Sequence, residues 1–596
     1  MLTGRHVNKY YLKYWYFFLI GVVALVLVDY FQLFIPEILG NIVDSINEGR
    51  KIDIGSLFLR LTLIGVGMCV GRITWRLTLI TTSKKIEANI RREMFEKAER
   101  LSQKFYHENK VGSIMAWFTN DLETIEEYFG WGTIMLVDAF FMGILVIVKM
   151  VSLNLALSLL TAFPVILIII WGALVEKFMA QKWDERQKAF DSLYDFTQEN
   201  FTGIRVIKAF VKENKEIFAF SKIAKKNKDV NISFVKTNVI FSVFIEIIIV
   251  LIMCLMLGFG GYIVYAFTTG APVILFGKVV EMTPGILIEF VGYFDYLIWP
   301  LIALGQIVSM RSRAKASLKR ISEYLDQEED IKNPEHAHIL TNVKGEIKFN
   351  NYSFNYPGSK IHSLQKVSFE IKAGELVGIV GKIGSGKTTL VNSLLRLYNV
   401  EEESIFIDGY DLMKCNIQSI RAAISYVPQD NFLFSDKVRN NIAFSNKALD
   451  FESIQLAAKF ADVHDNIVEF KDGYDTISGE RGVTLSGGQK QRVSIARAYI
   501  KDTPIMIMDD SVSAVDVKTE ETILKNIREK RAGKTTLVIA SRVSTVMHMD
   551  KILVLNDGFV EAFDTHQNLL KVSPTYQKMV FLQELEKEVE GGVSNE

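Results

Sequence analysis

Residues 375–398 read ELVGIVGKIGSGKTTLVNSLLRLY, in which an apolar strand, a glycine-rich loop and an amphipathic helix follow one another. Gly381, Gly386, Lys387 and Thr388 fit the spacing GxxxxGK(S/T) of a phosphate-binding loop. The glycines let the backbone wrap around a phosphate chain, and the helix adds its positive N-terminal end. The pattern predicts that Lys387 reaches the β- and γ-phosphates of a nucleotide and that the Thr388 hydroxyl binds Mg²⁺.

Downstream of this loop, short β-rich runs alternate with helical stretches, which is typical of an α/β domain. One run, PIMIMDD at 504–510, is an apolar strand that reaches Asp509, the expected second anchor of the Mg²⁺ shell. Between the loop and this strand lies LSGGQ at 485–489, whose glycines and Ser486 can offer hydrogen-bond donors to phosphate oxygens. Because the loop of this chain serves its own nucleotide, we expect LSGGQ to face the phosphates of another nucleotide.

Upstream of the loop, the chain is far more apolar. A mean hydropathy of +0.19 alongside 23% charged residues indicates one apolar part averaged with one polar part. A helix needs about 20 apolar residues to span a bilayer, and six segments qualify. They lie at roughly 16–38, 57–82, 130–151, 153–175, 238–264 and 284–307, with a short turn near Ser152 and Asn154 between the third and the fourth.

Charge and cysteine content argue against two other classes of function. Basic and acidic residues balance at 68 each, so no strong field draws the chain to nucleic acid. The three cysteines, Cys69, Cys254 and Cys415, lie far apart without CxxC spacing. Neither a disulfide scaffold nor a zinc site is therefore expected.

The distribution of Lys and Arg predicts the orientation of the spans. Basic residues concentrate before the first span and in the long connections 83–129 and 176–237. By the positive-inside rule, both termini face the cytoplasm, in a multi-pass protein of the plasma membrane. The predicted parts are a cytoplasmic N-terminus at 1–15, a transmembrane domain at 16–310, a linker at 311–344, an α/β domain at 345–580 and a tail at 581–596.

Seven motifs occur in a characteristic order along the second half of the chain. They are SFNYPG with Tyr356, the loop at 381–388, YVPQD with Gln429, GERG at 479–482, LSGGQ at 485–489, the strand with Asp509 and SAVD at 513–516. With these motifs the domain resembles an ABC nucleotide-binding domain, and almost the whole chain resembles the type IV exporter half-transporters. The resemblance implies a multidomain fold: an all-α six-helix transmembrane domain plus an α/β P-loop ABC nucleotide-binding domain.

The resemblance also implies a role for each motif. ATP and Mg²⁺ are the expected cofactors, with Tyr356 stacking on adenine and Gln429 joining Thr388 and Asp509 around the metal. The implied nucleotide-binding residues are Tyr356, Gly381, Lys382, Ile383, Gly384, Ser385, Gly386, Lys387, Thr388, Thr389 and Gln429. The implied signature residues, acting on the ATP of a second subunit, are Leu485, Ser486, Gly487, Gly488 and Gln489.

Mechanism follows from the same resemblance. Two such domains sandwich two ATP molecules head to tail, and each site combines one chain's phosphate loop with the other chain's LSGGQ. Closure of the sandwich is expected to pass to the membrane through short cytoplasmic helices near 104–113 and 195–203, which dock beside the lid glutamine. The expected partners are a second half-transporter, the lipid bilayer and a small amphipathic substrate.

At two positions the sequence departs from the family pattern. Active members carry glutamate after the Mg²⁺ aspartate, where this chain has Asp510, and histidine at the switch position, where it has Ser541. Aspartate is one methylene shorter, so its carboxylate stands roughly 1.5 Å back, and errors near 1 Å can cost about 100-fold in rate. Unless His548 or His566 compensates, this site is weakened. The combination resembles the degenerate-site subunit of heterodimeric multidrug exporters of Gram-positive bacteria.

The transported substrate is the part that the sequence specifies least. Charged residues within the spans either pair with one another, lie where helices leave the bilayer, or line a cavity. They are Asp29, Arg72, Arg76, Asp138, Glu246, Glu289 and Asp295. An acidic excess in a cavity favours the export of cationic amphiphiles such as drugs. Lipid export and peptide export are the alternatives. The six spans argue against a soluble ABC ATPase, and the absence of a long insertion between 310 and 345 argues against an ABC-derived regulator or channel.

Overall fold

The structure, a computed structural model, describes residues 4–270, 273–275, 278–279, 281–359, 361–479, 482, 484–513 and 515–593. The chain divides into two compact units. The helical unit comprises Met1–Lys97 and Gly112–Gln327, and the sheet unit comprises Ala98–Val111 and Glu328–Glu596. The short segment Ala98–Val111 therefore belongs with the sheet although both of its flanks belong to the helices.

The helical unit is built from long helices. Among the described residues, five are long and apolar enough to cross a membrane: Trp15–Asn47, Ile54–Arg100, Val111–Leu153, Glu213–Thr268 and Pro284–Leu325. A further helix, Leu155–Thr202, runs for 48 residues and opens with an apolar stretch. Shorter elements are the helices Arg5–Lys13 and Ile204–Ala209 and the two-residue strands β1 (Ile274–Leu275) and β2 (Lys278–Val279).

Five of the six predicted spans fall within one of these long helices, and the fourth, 153–175, starts at the preceding helix end and continues into Leu155–Thr202. The predicted turn between the third and fourth spans is at Asn154, whose backbone is extended and whose side chain accepts a hydrogen bond from Leu157 N at 3.0 Å. This N-cap ends one helix and begins the next.

In the part of the helical unit that the structure describes, four π-helical turns interrupt the α-helices. They are Arg76–Ile80, Trp117–Asp121, Tyr128–Gly132 and Asp138–Met142. Such turns are rare and often occur at functional sites.

The first and last long helices of this unit approach closely through glycines. A Cβ added to Gly285 would lie 2.1 Å from the Gly40 carbonyl oxygen, so no larger residue fits there. Beside this contact, Asp44 accepts hydrogen bonds from the Thr283 hydroxyl at 2.6 Å and from Gly285 N at 2.7 Å. The pair of helices is thus fixed at one end.

The helix Pro284–Leu325 extends into residues 311–325, which the sequence analysis assigns to the linker. Ala314, Leu318 and Ile321 are buried at helical spacing, and the Tyr324 hydroxyl donates to Met94 O at 2.7 Å. This packing keeps the segment helical, so the irregular connection begins only at Asp326. A helix, Pro574–Val593, likewise extends into the predicted tail at 581–596.

The described residues of the sheet unit form ten strands. They are β3 (Ile347–Phe354), β4 (Leu364–Ile371), β5 (Leu376–Gly381), β6 (Ile405–Ile407), β7 (Tyr410–Asp411), β8 (Ile424–Val427), β9 (Ile505–Asp509), β10 (Thr535–Ile539), β11 (Lys551–Asn556) and β12 (Phe559–Asp564). One sheet has the order β12-β11-β5-β10-β9-β8, parallel except for β12, and the other is antiparallel with the order β4-β3-β6-β7.

Helices surround these sheets. They are Gln103–Glu108, Lys387–Leu394, Ile417–Ala423, Val438–Ile442, Phe451–Phe460, His464–Val468, Gly487–Ile500, Val517–Lys530, Val543–Val546, His566–Val572 and Pro574–Val593. Within the described part of this unit, short 3₁₀ turns lie at Leu412–Lys414, Ala443–Ser445 and Gly473–Asp475.

The register of the parallel strands decides where side chains meet. Ile539 of β10 pairs with Asp509 of β9 on one side and with Ile379 of β5 on the other. The loops after β5, β9 and β10 therefore leave the same edge of the sheet. Ligands of parallel sheets bind at this edge, beyond the carboxyl ends of the strands.

Candidate nucleotide-binding site

The loop after β5 has a backbone that only glycine permits at its two ends. A Cβ on Gly381 would lie 2.2 Å from Leu555 O, and one on Gly386 would lie 2.5 Å from Ser363 O. Gly386 also has a φ of +96°, in the left-handed region. The two glycines identified from the spacing are thus required by the fold of the loop itself.

Lys387 begins the helix that follows the loop, and its ammonium group is turned back into the loop. Its Nζ donates to Gly381 O at 2.8 Å and to Lys382 O at 2.9 Å. Burial lowers the pKa of Lys387, and the nearby carboxylates of Asp510 and Asp509 oppose that shift. The loop therefore holds a half-buried positive charge that an anion would stabilise.

Inside the loop, the Ser385 side chain has an unused hydrogen-bonding group. The residue is 2% exposed, and among the described residues its Oγ has no hydrogen-bond partner. Gly384 faces open space, and Ile383 is fully exposed on the outside of the loop. A buried hydroxyl without a partner is costly, so a phosphate oxygen in the loop fits it.

Asp509, at the end of β9, is 1% exposed and lies beside the phosphate loop. The Thr388 hydroxyl lies near its carboxylate, and the Tyr426 hydroxyl donates to its Oδ2 at 3.5 Å. Burial raises the pKa of Asp509, although the nearby Thr388 hydroxyl opposes the shift. A hydroxyl and a carboxylate are hard oxygen ligands of the kind that Mg²⁺ prefers.

A metal at this place would depend on few protein ligands. Among the described residues, no group of three or more His, Cys, Asp or Glu side chains could hold an ion. Mg²⁺ commonly binds through one or two protein oxygens together with phosphate oxygens, so Thr388 and Asp509 fit it. Gln429 is exposed after β8, and a hydrogen bond from Asn431 reaches its main-chain oxygen at 3.4 Å. These contacts do not connect Gln429 to Thr388 or Asp509, the two side chains that fit Mg²⁺.

Tyr356 lies in an aromatic cluster next to the phosphate loop. Its ring meets the ring of Tyr398 edge-on at 5.4 Å, and its hydroxyl is 3.1 Å from Thr389 Oγ1. The hydroxyl of Tyr398 is in turn 3.0 Å from His107 Nδ1. His107 belongs to the helix Gln103–Glu108 within Ala98–Val111.

A cavity of about 270 Å³ lies beside this cluster. It is lined by Lys104, His107, Glu108, Tyr356 and Pro357. The helix near 104–113, predicted to transmit closure, thus contacts the surroundings of Tyr356. Sequence reasoning did not find His107 or Tyr398, because 291 positions separate them and no spacing rule connects such distant residues.

Asp510 and Ser541 meet at the edge of the sheet. Asp510 has a φ of +46°, its main-chain N–H donates to Ile539 O at 3.0 Å, and the main-chain N–H and hydroxyl of Ser541 lie near its carboxylate. Burial raises the pKa of Asp510, and the charge of Lys387 opposes the shift. His566 hydrogen-bonds with the Tyr576 hydroxyl at 2.7 Å, so its ring is engaged elsewhere.

LSGGQ forms the start of the helix Gly487–Ile500. Ser486 is the N-cap: its Oγ accepts from Gln489 N at 3.3 Å, and its own N–H donates to Gln489 Oε1 at 3.0 Å. Leu485 is buried and anchors the turn, whereas Ser486 and Gly487 are exposed. The structure thus leaves this helix start open to solvent. In GERG and SAVD, residues 480, 481 and 514 lie outside the described residues.

Comparison with known proteins decides the family. The profile described as "ABC transporter transmembrane region" matches residues 18–301, and the profile described as "ABC transporter" matches residues 364–513. The probable multidrug resistance ABC transporter ATP-binding/permease protein YheI of Bacillus subtilis is 34% identical over 595 residues, which cover 99% of each chain. This chain belongs to the ABC transporter family.

Other ABC transporters match over the full length as well. The multidrug resistance-like ATP-binding protein MdlA of Escherichia coli is 33% identical over 604 residues, covering 100% of this chain and 99% of that protein. A solved structure of a bacterial Atm1-family ABC exporter with ATP bound aligns with a TM-score of 0.76, at 24% identity, over 97% of this chain and 98% of that one.

These findings confirm the predicted fold class, a helical membrane domain fused to an α/β ATP-binding domain. They also confirm that the chain is a multi-pass membrane protein, an ABC exporter homologous to multidrug resistance transporters.

Proposed function

We propose that this chain is one subunit of a heterodimeric exporter, and that its own ATP site hydrolyses slowly. The observation that carries the proposal is the pair Asp510 and Ser541, which occupies the positions of a catalytic glutamate and a switch histidine. A homodimer would combine two weakened sites. A partner with an intact site would supply the turnover that export requires.

ATP fits the residues at the edge of the sheet. We infer that Tyr356 stacks on the adenine ring, and that the loop from Gly381 to Thr388 wraps the phosphates. Lys387 would exchange its two carbonyl acceptors for phosphate oxygens, and Ser385 would gain the partner that it lacks among the described residues. Thr388 and Asp509, with Gln429 brought in on closure, would hold Mg²⁺, which neutralises phosphate charge.

The slow step at this site follows from the reach of Asp510. A general base must come within hydrogen-bond distance of the attacking water. The aspartate carboxylate stands about 1.5 Å short of a glutamate carboxylate. Serine also lacks the imidazole that can bridge the γ-phosphate and the base. ATP would therefore be bound here and released or hydrolysed slowly.

The exposed start of the LSGGQ helix supports a role in a second site. Ser486 and Gly487 are exposed, and the N-terminus of a helix favours phosphate. We infer that this segment completes the partner's ATP site in a head-to-tail pair. The competent site would then combine the partner's catalytic glutamate with the signature sequence of this chain.

We infer that the exported compounds are amphipathic and include drugs, because full-length relatives are named multidrug resistance proteins. The basic connections support an orientation with both termini in the cytoplasm and export across the plasma membrane.

Purification of this chain from its native host tests the proposal. A second half-transporter is expected to co-elute, with Glu after its Mg²⁺ aspartate and His at its switch position. A homodimer of this chain that hydrolyses ATP at tens per second would contradict the proposal, since typical enzymes turn over at about 1–1000 s⁻¹.

A further inference from the structure

The C-terminal helix Pro574–Val593 makes two side-chain hydrogen bonds to the segment that follows β10. Gln583 Oε1 accepts from Val543 N at 2.8 Å, and Gln583 Nε2 donates to Ser541 O at 3.3 Å. Because one main-chain partner is a donor and the other an acceptor, a single orientation of the amide satisfies both. Gln583 therefore holds the main chain on both sides of Arg542.

One of these bonds caps a helix from a distant part of the chain. Val543 begins the helix Val543–Val546, and the residue before it, Arg542, makes no side-chain cap. The first N–H groups of a helix have no acceptor within that helix. Gln583 supplies an acceptor from 40 positions away. Replacing the amide would leave a partly buried donor unpaired, which is costly.

Residues 541–546, which we call the switch segment, are held from their other side by the buried carboxylate of Glu520. The Thr545 hydroxyl donates to Glu520 Oε1. The Arg542 guanidinium is 3.9 Å from Glu520 Oε2, and its side chain is half exposed, so this ion pair constrains the segment little. Glu520 thus fixes the switch segment through side chains, whereas Gln583 fixes its main chain.

The switch segment begins at the sheet edge where the phosphate loop lies. Ala540 N donates to Ile379 O of β5 at 3.1 Å. On the other side, Asp510 N donates to Ile539 O of β10 at 3.0 Å. These bonds place the start of the segment between the end of β5, where the phosphate loop begins, and the end of β9. The terminal phosphate of a nucleotide in the loop would therefore lie beside Ser541.

We propose that Gln583 is a positioning residue for ATP recognition: it holds Ser541 within reach of the γ-phosphate, so that the site prefers ATP to ADP. A side-chain amide suits this role because it bonds to a carbonyl and an N–H two residues apart, as a residue of a neighbouring parallel strand does. The inference rests on the proposed placement of ATP in the loop. It adds the C-terminal helix to the parts of the chain that distinguish the two nucleotides.

Three variants separate the two bonds from the general stability of the helix. Gln583→Met keeps the length of the side chain and removes both bonds. Gln583→Glu keeps an acceptor for Val543 N but has no donor for Ser541 O. Gln577→Met is the matched control, because Gln577 lies on the same helix, lines the same groove and donates to Leu570 O at 2.7 Å instead.

Photolabelling with azido-ATP measures nucleotide at this chain's own site. The reagent attaches to the chain that holds its adenine, so the label on this chain reports that site in whatever assembly purifies from the host. The label is displaced with ADP or with AMP-PNP, a non-hydrolysable ATP analogue, both in the presence of Mg²⁺. These competitors share adenine and two phosphates, so the ratio of their affinities isolates the γ-phosphate. General destabilisation weakens both alike and leaves the ratio unchanged.

Gln583→Met is expected to reduce the preference for AMP-PNP over ADP at least about threefold, in line with the net worth of a hydrogen bond, while ADP binding stays as in the parent. Gln583→Glu should lose part of the preference, and Gln577→Met should retain it. An unchanged ratio in Gln583→Met, an equal loss in Gln577→Met, or a parent without the preference would overturn the inference. If Gln583→Met does not fold, Gln583→Glu decides, and a ratio equal to the parent's would overturn it.

The outcome is separable from that of the proposed function, because the label on this chain depends neither on the partner nor on turnover. A preference that depends on Gln583, in a homodimer that hydrolyses ATP rapidly, would support the positioning role and contradict the heterodimer proposal. A preference that is indifferent to Gln583, in a heterodimer whose own site is slow, would contradict the positioning role alone.

Discussion

Replacing Asp510 by asparagine removes the carboxylate from the general-base position while preserving the shape of the side chain. In the structure this carboxylate lies near Ser541, and it stands about 1.5 Å short of where a glutamate would reach. If that shortfall costs about 100-fold, this site supplies about 1% of the turnover of a competent site. We therefore expect Asp510→Asn to leave the ATPase rate of the complex almost unchanged.

The contrast with the partner subunit makes the measurement decisive. Neutralising the partner's expected glutamate should reduce turnover by about 10²–10⁴-fold at the site that dominates, because general-base catalysis is worth that much. The assay is steady-state ATPase of the purified complex at saturating ATP. A loss of half or more from Asp510→Asn would refute the reasoning, since Asp510 would then act as a full base.

Restoring the two groups that this site lacks is expected to raise the ATPase rate of the complex. Asp510→Glu combined with Ser541→His supplies both groups that the site lacks, so the rate of the complex should rise toward twofold as two sites share the turnover. Asp510→Glu alone is the matched control and should gain less, since Ser541 cannot bridge the γ-phosphate and the base.

Three further predictions concern the loop and the signature. Ser486→Arg should reduce ATPase more than Lys387→Ala, because Ser486 serves the competent site of the partner; the reverse order would assign the principal site to this chain's own loop. Gly386→Ala should destabilise the chain by about 1–3 kcal/mol, measured by thermal unfolding, since its φ is +96° and its Cβ would meet Ser363 O at 2.5 Å. Burial raises the pKa of Asp509, so its carboxyl group holds a proton more tightly in the folded, nucleotide-free chain than in the unfolded chain. The folded chain therefore loses stability as the pH rises through this raised pKa. Asp509→Asn should therefore raise the melting temperature relative to the parent by more at about pH 8 than at about pH 4.5, and an equal shift at both values would contradict this.

The sequence was sufficient wherever a feature depends on local pattern. Apolar length located all six long helices, and glycine spacing located the phosphate loop, because both are properties of continuous segments. The helix through 311–325 was assigned to the linker because its charged residues mask the buried face of Ala314, Leu318 and Ile321.

Contacts between distant segments could not be predicted in this way. The sequence named Asp510 and Ser541 separately, but their proximity depends on the alignment of β9 with β10. Asp29 and Asp138 were likewise known only as charged residues within spans. The hydrogen bond that joins Trp299 to Asp138 depends on the packing of two helices.

The membership of Ala98–Val111 in the sheet unit has a practical consequence for protein engineering. Ser102 donates to Asp330 at 3.2 Å and His107 contacts Tyr398, so a catalytic fragment cut at Glu328 would lose both interactions. Such a fragment would expose the aromatic cluster around Tyr356, and its nucleotide affinity would describe a damaged pocket. Chimeras that exchange ATPase domains between relatives should therefore exchange two segments of the chain together, residues 98–111 and the domain itself.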